Sequence, residues 1–440
     1  MRCWGVKTSA AVAVFLAGAL SATAATPTTT PNNTDDFFNA RTCRVGKDFD
    51  GQRCHLGRAQ LAENQRAVER ATAQLVALLG SRAGVASPAD TFRPLLPNSA
   101  PLPQPGDVAS AFNPFFATIA GRDWWSARPS GADAPFPLRE PAHVVTGALA
   151  ARAAGVDNGD QLLQLARNAG EYLLLAQRGG DHGLFPFPEP ANKPGPLFDL
   201  ARQGLASNPN PATALHNGWL VDDAGAGSLY FDNGLAGLAV LDLYEATGEG
   251  KWLAAARNAA DWARRQPAVT NWNYNSFSVG FLARFAQLTG ERPYLERAVQ
   301  LAELGVLPGQ LRSGPHTGRW LDPHNARSVY HWIMVRNLGL LLAALPEGHG
   351  ATAEIRDTLI RALSVANNDI ITKGIAATDG ALEALALLQQ ILPAGTQLPD
   401  SGRQDALAAV ARVVWGRFRA GAVPVQPGPW GRFLQVAPHV

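Results

Sequence analysis

At 440 residues with 46% hydrophobic content, the chain can bury a large core, as one big domain or two smaller ones. Its 38 basic and 36 acidic residues nearly balance, and no Lys/Arg run of the kind that neutralises phosphates occurs, which argues against nucleic acid as a partner. The basic residues are 33 arginines and five lysines; with so much Ala and Gly this reads as GC-rich coding before it reads as an arginine-lined site.

In chain order, Arg2 and Lys7 precede an apolar run from Ala10 to Leu20 and then Ser-Ala-Thr-Ala-Ala. That succession is a secretory signal peptide over residues 1–24, cleaved after Ala24, and the run is short for a membrane span. No cysteine follows it directly. The expectation is an exported, periplasmic or secreted protein with no membrane insertion once the signal is removed. An N-terminal segment over 25–107 follows. It holds a low-complexity leader (Thr26–Asn33), the pair Cys43 and Cys54, a helix over Leu56–Leu79 and a proline-rich strap from Phe92 to Gly106. Two cysteines in an exported chain most simply form one disulfide, Cys43–Cys54.

From about residue 108 to 440 the chain reads as a succession of helices that repeat. Lys251–Ala263 (KWLAAARNAADWA) follows Thr247-Gly248-Glu249, and forty-two residues later Pro293–Gly305 (PYLERAVQLAELG) follows Thr289-Gly290-Glu291. At the same offset Tyr230 maps to Trp272 and Asn233 to Asn275, while Ala166–Tyr172 matches Ala256–Trp262. A repeat of this size marks stacked helix pairs. Within a pair, Gly234–Ala246 is apolar almost all round and the helix after it is amphipathic. Phe277–Leu288 and Tyr294–Leu304 repeat the contrast; the pairs at Pro141–Gln177, Asn325–Ala366 and Asp379–Arg419 are less regular. An inner ring of enclosed helices within an outer amphipathic ring is an all-α, (α/α)6-type toroid. Counting Leu56–Leu79, it has twelve helices.

Links inside a pair are short; links between pairs (Gly179–Tyr230, Gln266–Tyr274, Pro308–His324, Asn367–Thr378) are long and emerge at one end. They carry Asp181, His182, Trp219, Asp222, Asp223, Tyr230, Asp232, Trp272, Tyr274, His316, Trp320 and His324 to one rim, with Tyr330 and His331 just below. The segment beginning Asp181-His182-Gly183-Leu184-Phe185-Pro186-Phe187-Pro188 should form a rim wall or lid.

The run Tyr230-Phe231-Asp232-Asn233-Gly234 through Tyr244-Glu245-Ala246-Thr247-Gly248, then Trp252-Leu253, resembles the six-hairpin glycosidase and related α/α-toroid superfamilies, over about residues 140–420. These include unsaturated-uronide hydrolases, polysaccharide lyases and sugar epimerases. The resemblance implies sugar chemistry at one mouth of the toroid and an oligo- or polysaccharide substrate.

Three functions are carried forward. The first is glycoside hydrolysis by two carboxylates, with Asp232 as general acid or base, Asp222 as its partner, and His331 and Tyr330 positioning substrate. An N-cap for Asp232 and a solvated turn for Asp222-Asp223 are the structural alternatives. The second is a polysaccharide lyase in which Tyr330 and His331 transfer protons and Arg327 neutralises a uronate. Arg327 and His331 are four residues apart on one helix face; the alternative is that Tyr330 and Trp332 are packing residues and His331 a hydrogen-bonded core histidine. The third is a non-catalytic glycan-binding protein. Substrate contacts are expected from Trp219, Tyr230, Trp272, Tyr274, Trp320, His324, Arg327 and His182, with stacking on sugar rings from one or two of Trp219, Trp272 and Trp320.

No cofactor is expected. The seven- and eight-residue spacings of His316, His324 and His331 match no compact metal-ligand motif, and the cysteines cannot furnish the zinc site of α/α-toroid cyclases. No GxGxxG or GxxxxGK[ST] phosphate loop precedes a helix and no GxSxG elbow occurs.

Overall fold

The computed structural model describes residues 101–120, 130–134, 136–156, 159–225, 227–269, 271–310, 312, 318–320, 328–373, 378–392, 403–422 and 425–437; of residues 120, 328, 367–373 and 403–405 only the backbone is described. The expected signal segment, the Cys43–Cys54 pair and the Leu56–Leu79 helix lie outside the described residues, as do His316, His324, Asn325 and Arg327.

Six inner helices are α2 (Arg139–Ala153), α6 (Ser228–Thr247), α8 (Trp272–Thr289), α10 (Ser328–Ala344), α12 (Asp379–Ile391) and α14 (Pro427–Val436). Each packs against the next in that order, and α14 returns to α2, closing a ring. The outer layer is α1 (Pro105–Ala120), α3 (Gly159–Gly180), α7 (Gly250–Arg265), α9 (Arg292–Gly305), α11 (Thr352–Lys373) and α13 (Arg403–Arg419). The fold is therefore the expected all-α toroid of helical hairpins. One member differs from expectation: α1, packed on α14, fills the twelfth place that Leu56–Leu79 was counted to fill. It begins on Pro105, inside the proline-rich stretch, because proline suits a first helical turn where the missing N–H would be unpaired anyway. Val108, Phe112, Phe116 and Ile119 are its buried stripe. Among the described residues, no helix is long and apolar enough to cross a membrane.

The repeat has a concrete physical basis. Thr247 donates its hydroxyl to the Leu243 carbonyl and accepts from the Glu249 N–H; Thr289 does the same with Phe285 and Glu291. Gly248 and Gly290, at φ 69° and 75°, end the inner helices in the left-handed conformation, which glycine adopts without steric cost. Each Glu then pairs with an arginine of the preceding outer helix, Arg167–Glu249 and Arg257–Glu291. Asn233 and Asn275 form a second repeated device. Asn233 accepts from the Phe185 N–H and donates to the Ala259 carbonyl. Asn275 accepts from the Val269 N–H and donates to the carbonyls of Val269 and Gly305. Each fastens the incoming link to an inner helix and to an outer one.

Inner helices approach closely where glycine permits it. A Cβ on Gly237 would lie 2.5 Å from the Phe281 ring.

Candidate active site

The first inner turns begin earlier than the hydrophobic pattern indicated. Helix α6 starts at Ser228, so Asp232 lies within the helix and does not cap it. Asp223 serves the helix start, accepting from the Ser228 hydroxyl and the Leu229 N–H. Asp222 is exposed and accepts from the Ala224 N–H in a local turn. Asp232 is 2% exposed, and both its oxygens are bound by Arg139 of the neighbouring α2, at 2.7 Å from Nε and 2.8 Å from Nη2.

That pair organises the mouth. The Arg139 guanidinium lies 3.9 Å from the Phe231 ring centre. Burial pulls its pKa down, but Asp232 and the phenols of Tyr274 and Tyr330 outweigh this and hold it above the usual value. Tyr274 belongs to α8 and Tyr330 to α10, the helix opposite α2 in the ring. Groups from three other inner helices thus converge on one cation. Tyr274 sits forty-two residues after Asp232, so it takes the same place in the next hairpin.

Further along the axis every inner helix supplies a charged or titratable group: His143 (α2), Asp242 (α6), Arg284 (α8), Arg336 (α10), Glu383 (α12) and Arg432 (α14). His143 is about 6 Å below Arg139, and Asp242 about 15 Å below Asp232, at 1.5 Å per helical residue. Arg336 bonds Glu383 at 3.0 Å. Arg432 reaches Asp242 at 3.8 Å, although α14 and α6 are separated by α2 in the ring. Only side chains directed inward can meet across such a gap. His143 is solvent-exposed even though enclosing protein, chiefly through desolvation, lowers its pKa. Solvent therefore reaches the ring axis. Burial raises Asp242 to about 6, whereas Arg336, Arg432 and His143 overcome the effect of burial on Glu383 and lower it.

Several expected contacts are corrected. Trp219, Trp272 and Trp320 are 0%, 1% and 4% exposed, so none presents a face for sugar stacking. A Cβ on Gly309 would lie 2.6 Å from the Trp272 indole, and the Trp320 indole donates to the Val306 carbonyl. Tyr230 is buried, donates to the Pro267 carbonyl and packs edge-on to Trp262. His331 is the packed alternative. It lies between Trp320 and Trp332, shares a hydrogen bond with the Ala362 carbonyl of outer helix α11, and burial drives its pKa down to about 3. It faces away from the axis, unlike its neighbour Tyr330. His182 is exposed, its Nδ1 2.6 Å from the Gly180 carbonyl.

The link after α3, expected to form a rim wall or lid, is folded. It contains α4 (Pro196–Ser207), the single turn α5 (Pro211–Ala214) and a small antiparallel sheet, with β1 (Phe187–Pro188) and β2 (Leu215–His216) flanking β3 (Trp219–Leu220). Buried Leu184, Phe185 and Phe187 anchor it.

Sequence reasoning missed Arg139, His143, Arg336 and Glu383. Their signal was a cation or carboxylate inside otherwise Ala/Leu-rich inner helices.

No protein-family model matches the chain, and no curated protein matches it. Among solved structures it is similar to a polysaccharide lyase, at 13% identity and TM-score 0.46 over 76% of this chain and 95% of that one. It is similar to a sugar epimerase from a ruminal bacterium at 10% identity and TM-score 0.49, over 76% of this chain and 99% of that one. A third is an inactive variant of a Salegentibacter α-1,6-mannanase in complex with α-1,6-mannotriose, at 16% identity and TM-score 0.29, over 71% of this chain and 99% of that one.

Proposed function

We propose that the protein is an exported carbohydrate-active enzyme that cleaves glycosidic bonds at the toroid mouth, by β-elimination on a uronate-containing glycan. The observation that carries the reaction type is the saturation of Asp232 by Arg139, with two tyrosines brought to the same cation from other helices. Asp222 and Asp223 are likewise engaged in turn and helix-start hydrogen bonds. The mouth is thus better equipped with phenols beside a cation than with carboxylates ready to exchange protons. The carbohydrate assignment rests on the sequence resemblance, and export on the signal-like N-terminus.

In this reading Tyr330, as the phenolate that the neighbouring Arg139 cation favours, takes the proton from C5 of the uronate. A C4=C5 double bond forms, the O4 glycosidic bond breaks, and Tyr274 protonates the leaving oxygen. Arg139 supplies positive charge beside the developing anion, held in place by Asp232.

Hydrolysis is the second reading. It is favoured by the axial carboxylates, Asp242 raised to about 6 and Glu383 lowered, since carboxylates pushed apart in pKa suit acid and base roles.

The deciding experiment incubates purified mature protein with neutral and uronate polysaccharides, following ultraviolet absorbance of unsaturated product together with reducing ends. Both should rise, and Tyr330→Phe should lower the rate about a hundred-fold or more. Reducing ends alone would establish hydrolysis. No change across the panel would leave glycan binding.

A further inference from the structure

We infer that Arg336 anchors a second, deeper subsite on the ring axis that takes the oxyanion of an acidic sugar. The inference rests on the carbohydrate reading above and assigns the group that recognises acid.

Two arginines of the inner ring are in different states. Arg139 presents its Nε–Nη2 edge to Asp232 and has that edge filled by a carboxylate in the two-bond fork geometry. Arg336 uses Nη1 on Glu383, while its Nε and Nη2 are buried and meet no hydrogen-bond partner among the described residues. The residue is 8% exposed. Buried N–H groups are seldom left without acceptors because they have given up water and gained nothing. The open edge is the one that, on Arg139 in the mouth, receives the Asp232 carboxylate.

The surroundings fit a sugar that carries such a group. His143 approaches Arg336 from the opposite side of the ring and is open to solvent, so a ligand entering along the axis passes between them. Glu383 lies beside Arg336 as an acceptor for sugar hydroxyls. The Phe277 ring, 5.5 Å from the Arg336 guanidinium, backs the site with an apolar wall. Seating an oxyanion on Nε and Nη2 requires a turn of the Arg336 side chain toward the axis, with Nη1 remaining near Glu383. The mouth arginine cannot do this job, since Asp232 already occupies its fork.

The test is calorimetric titration of the full mature chain with glucuronate, its neutral methyl ester, glucose 6-sulfate and glucose. Wild type should prefer glucuronate or the sulfate ester to the methyl ester, the two anions distinguishing a carboxylate site from a sulfate site. Arg336→Lys keeps one charged donor toward Glu383 but removes the fork. It should lose on the order of ten-fold in affinity for the preferred anion while its affinity for the neutral sugars and its melting temperature stay near wild type. His143→Ala, which breaks no hydrogen bond among the described residues, should weaken both anionic and neutral ligands. Equal loss for charged and neutral ligands in Arg336→Lys would overturn the inference. Cleavage of a neutral glycan with unchanged Arg336→Lys kinetics would overturn it while leaving the carbohydrate reading intact. Absence of any sugar binding or cleavage would sink both.

Discussion

The toroid contains two populations of ion pairs, and they differ in almost every respect. On the periphery, Arg167–Glu249 and Arg257–Glu291 recur with the sequence repeat, and the four side chains are 30–40% exposed. On the axis, Arg139–Asp232, Arg336–Glu383 and Arg432–Asp242 do not recur among the described residues, and Asp232 is almost fully buried. The peripheral pairs join each hairpin to the next and follow the scaffold's period. The axial pairs break it: Asp232 in one hairpin is Tyr274 in the following one, while adjacent Asn233 and Asn275 stay the same. In a repeat fold, constancy marks the frame, and loss of constancy on an inward face marks the site.

The sharpest way to break this comparison is Arg139→Ala. It would strand the Asp232 carboxylate in a buried position, and removing one partner of such a pair costs about 3–5 kcal/mol. Urea unfolding should show that loss, and cleavage should fall below detection. Arg139→Ala combined with Asp232→Ala should recover much of the stability and none of the activity. A double variant as unstable as the single would mean that the pair is not a buried charge couple.

Asn275→Ala probes the frame instead. It removes three hydrogen bonds and leaves the Val269 N–H and the carbonyls of Val269 and Gly305 without that partner. The expected cost is about 2–3 kcal/mol in chemical unfolding. Turnover per folded molecule at low temperature should be unchanged. A fall in turnover without a fall in stability would move Asn275 from the frame to the site.

The frame was legible in the sequence because its determinants are local. The Thr-Gly-Glu corner, the apolar inner helices and the amphipathic outer ones each show within a dozen residues. The site was only partly legible, because it is assembled by ring closure. Arg139 and Tyr330 come from opposite helices, and no spacing along the chain reveals that they meet. Aromatic content misled for a related reason. Trp219, Trp272 and Trp320 lie where links join the ring, but the links fold inward and bury them. For His331 and Tyr330, adjacent on one helix, a single step of rotation sends one toward the outer layer and the other toward the axis.

Asp379 tests whether inward charge can be costly without being axial. It opens α12, and burial raises its pKa from 3.8 to about 7. The sign follows from proton binding. Between those values the folded state keeps a proton that the unfolded chain releases, so stability declines as pH rises from 3.8 through 7. Asp379→Asn removes that decline and should be more stable than wild type above pH 7, by on the order of 1–2 kcal/mol. Thermal melts at pH 5 and pH 8 measure it: the two proteins should be closer at pH 5. A variant less stable at pH 8 would show that the Asp379 carboxylate is held by favourable partners in its charged form.

The smallest effect is expected at Arg257 and Glu291. Their hydrogen bonds are short and bidentate, and each partner shifts the other's pKa, Arg257 upward and Glu291 downward. Both side chains are more than a third exposed, however, and water screens most of that attraction. Glu291→Gln should therefore cost less than about 1 kcal/mol in thermal unfolding, with cleavage unaffected, and added salt should narrow the difference further. The contrast with Arg139→Ala is the point of the measurement, because the two pairs have nearly the same bond lengths. If Glu291→Gln cost as much as removing the axial arginine, burial would not be what separates the two populations, and the departure of the axial pairs from the repeat would lose its functional meaning.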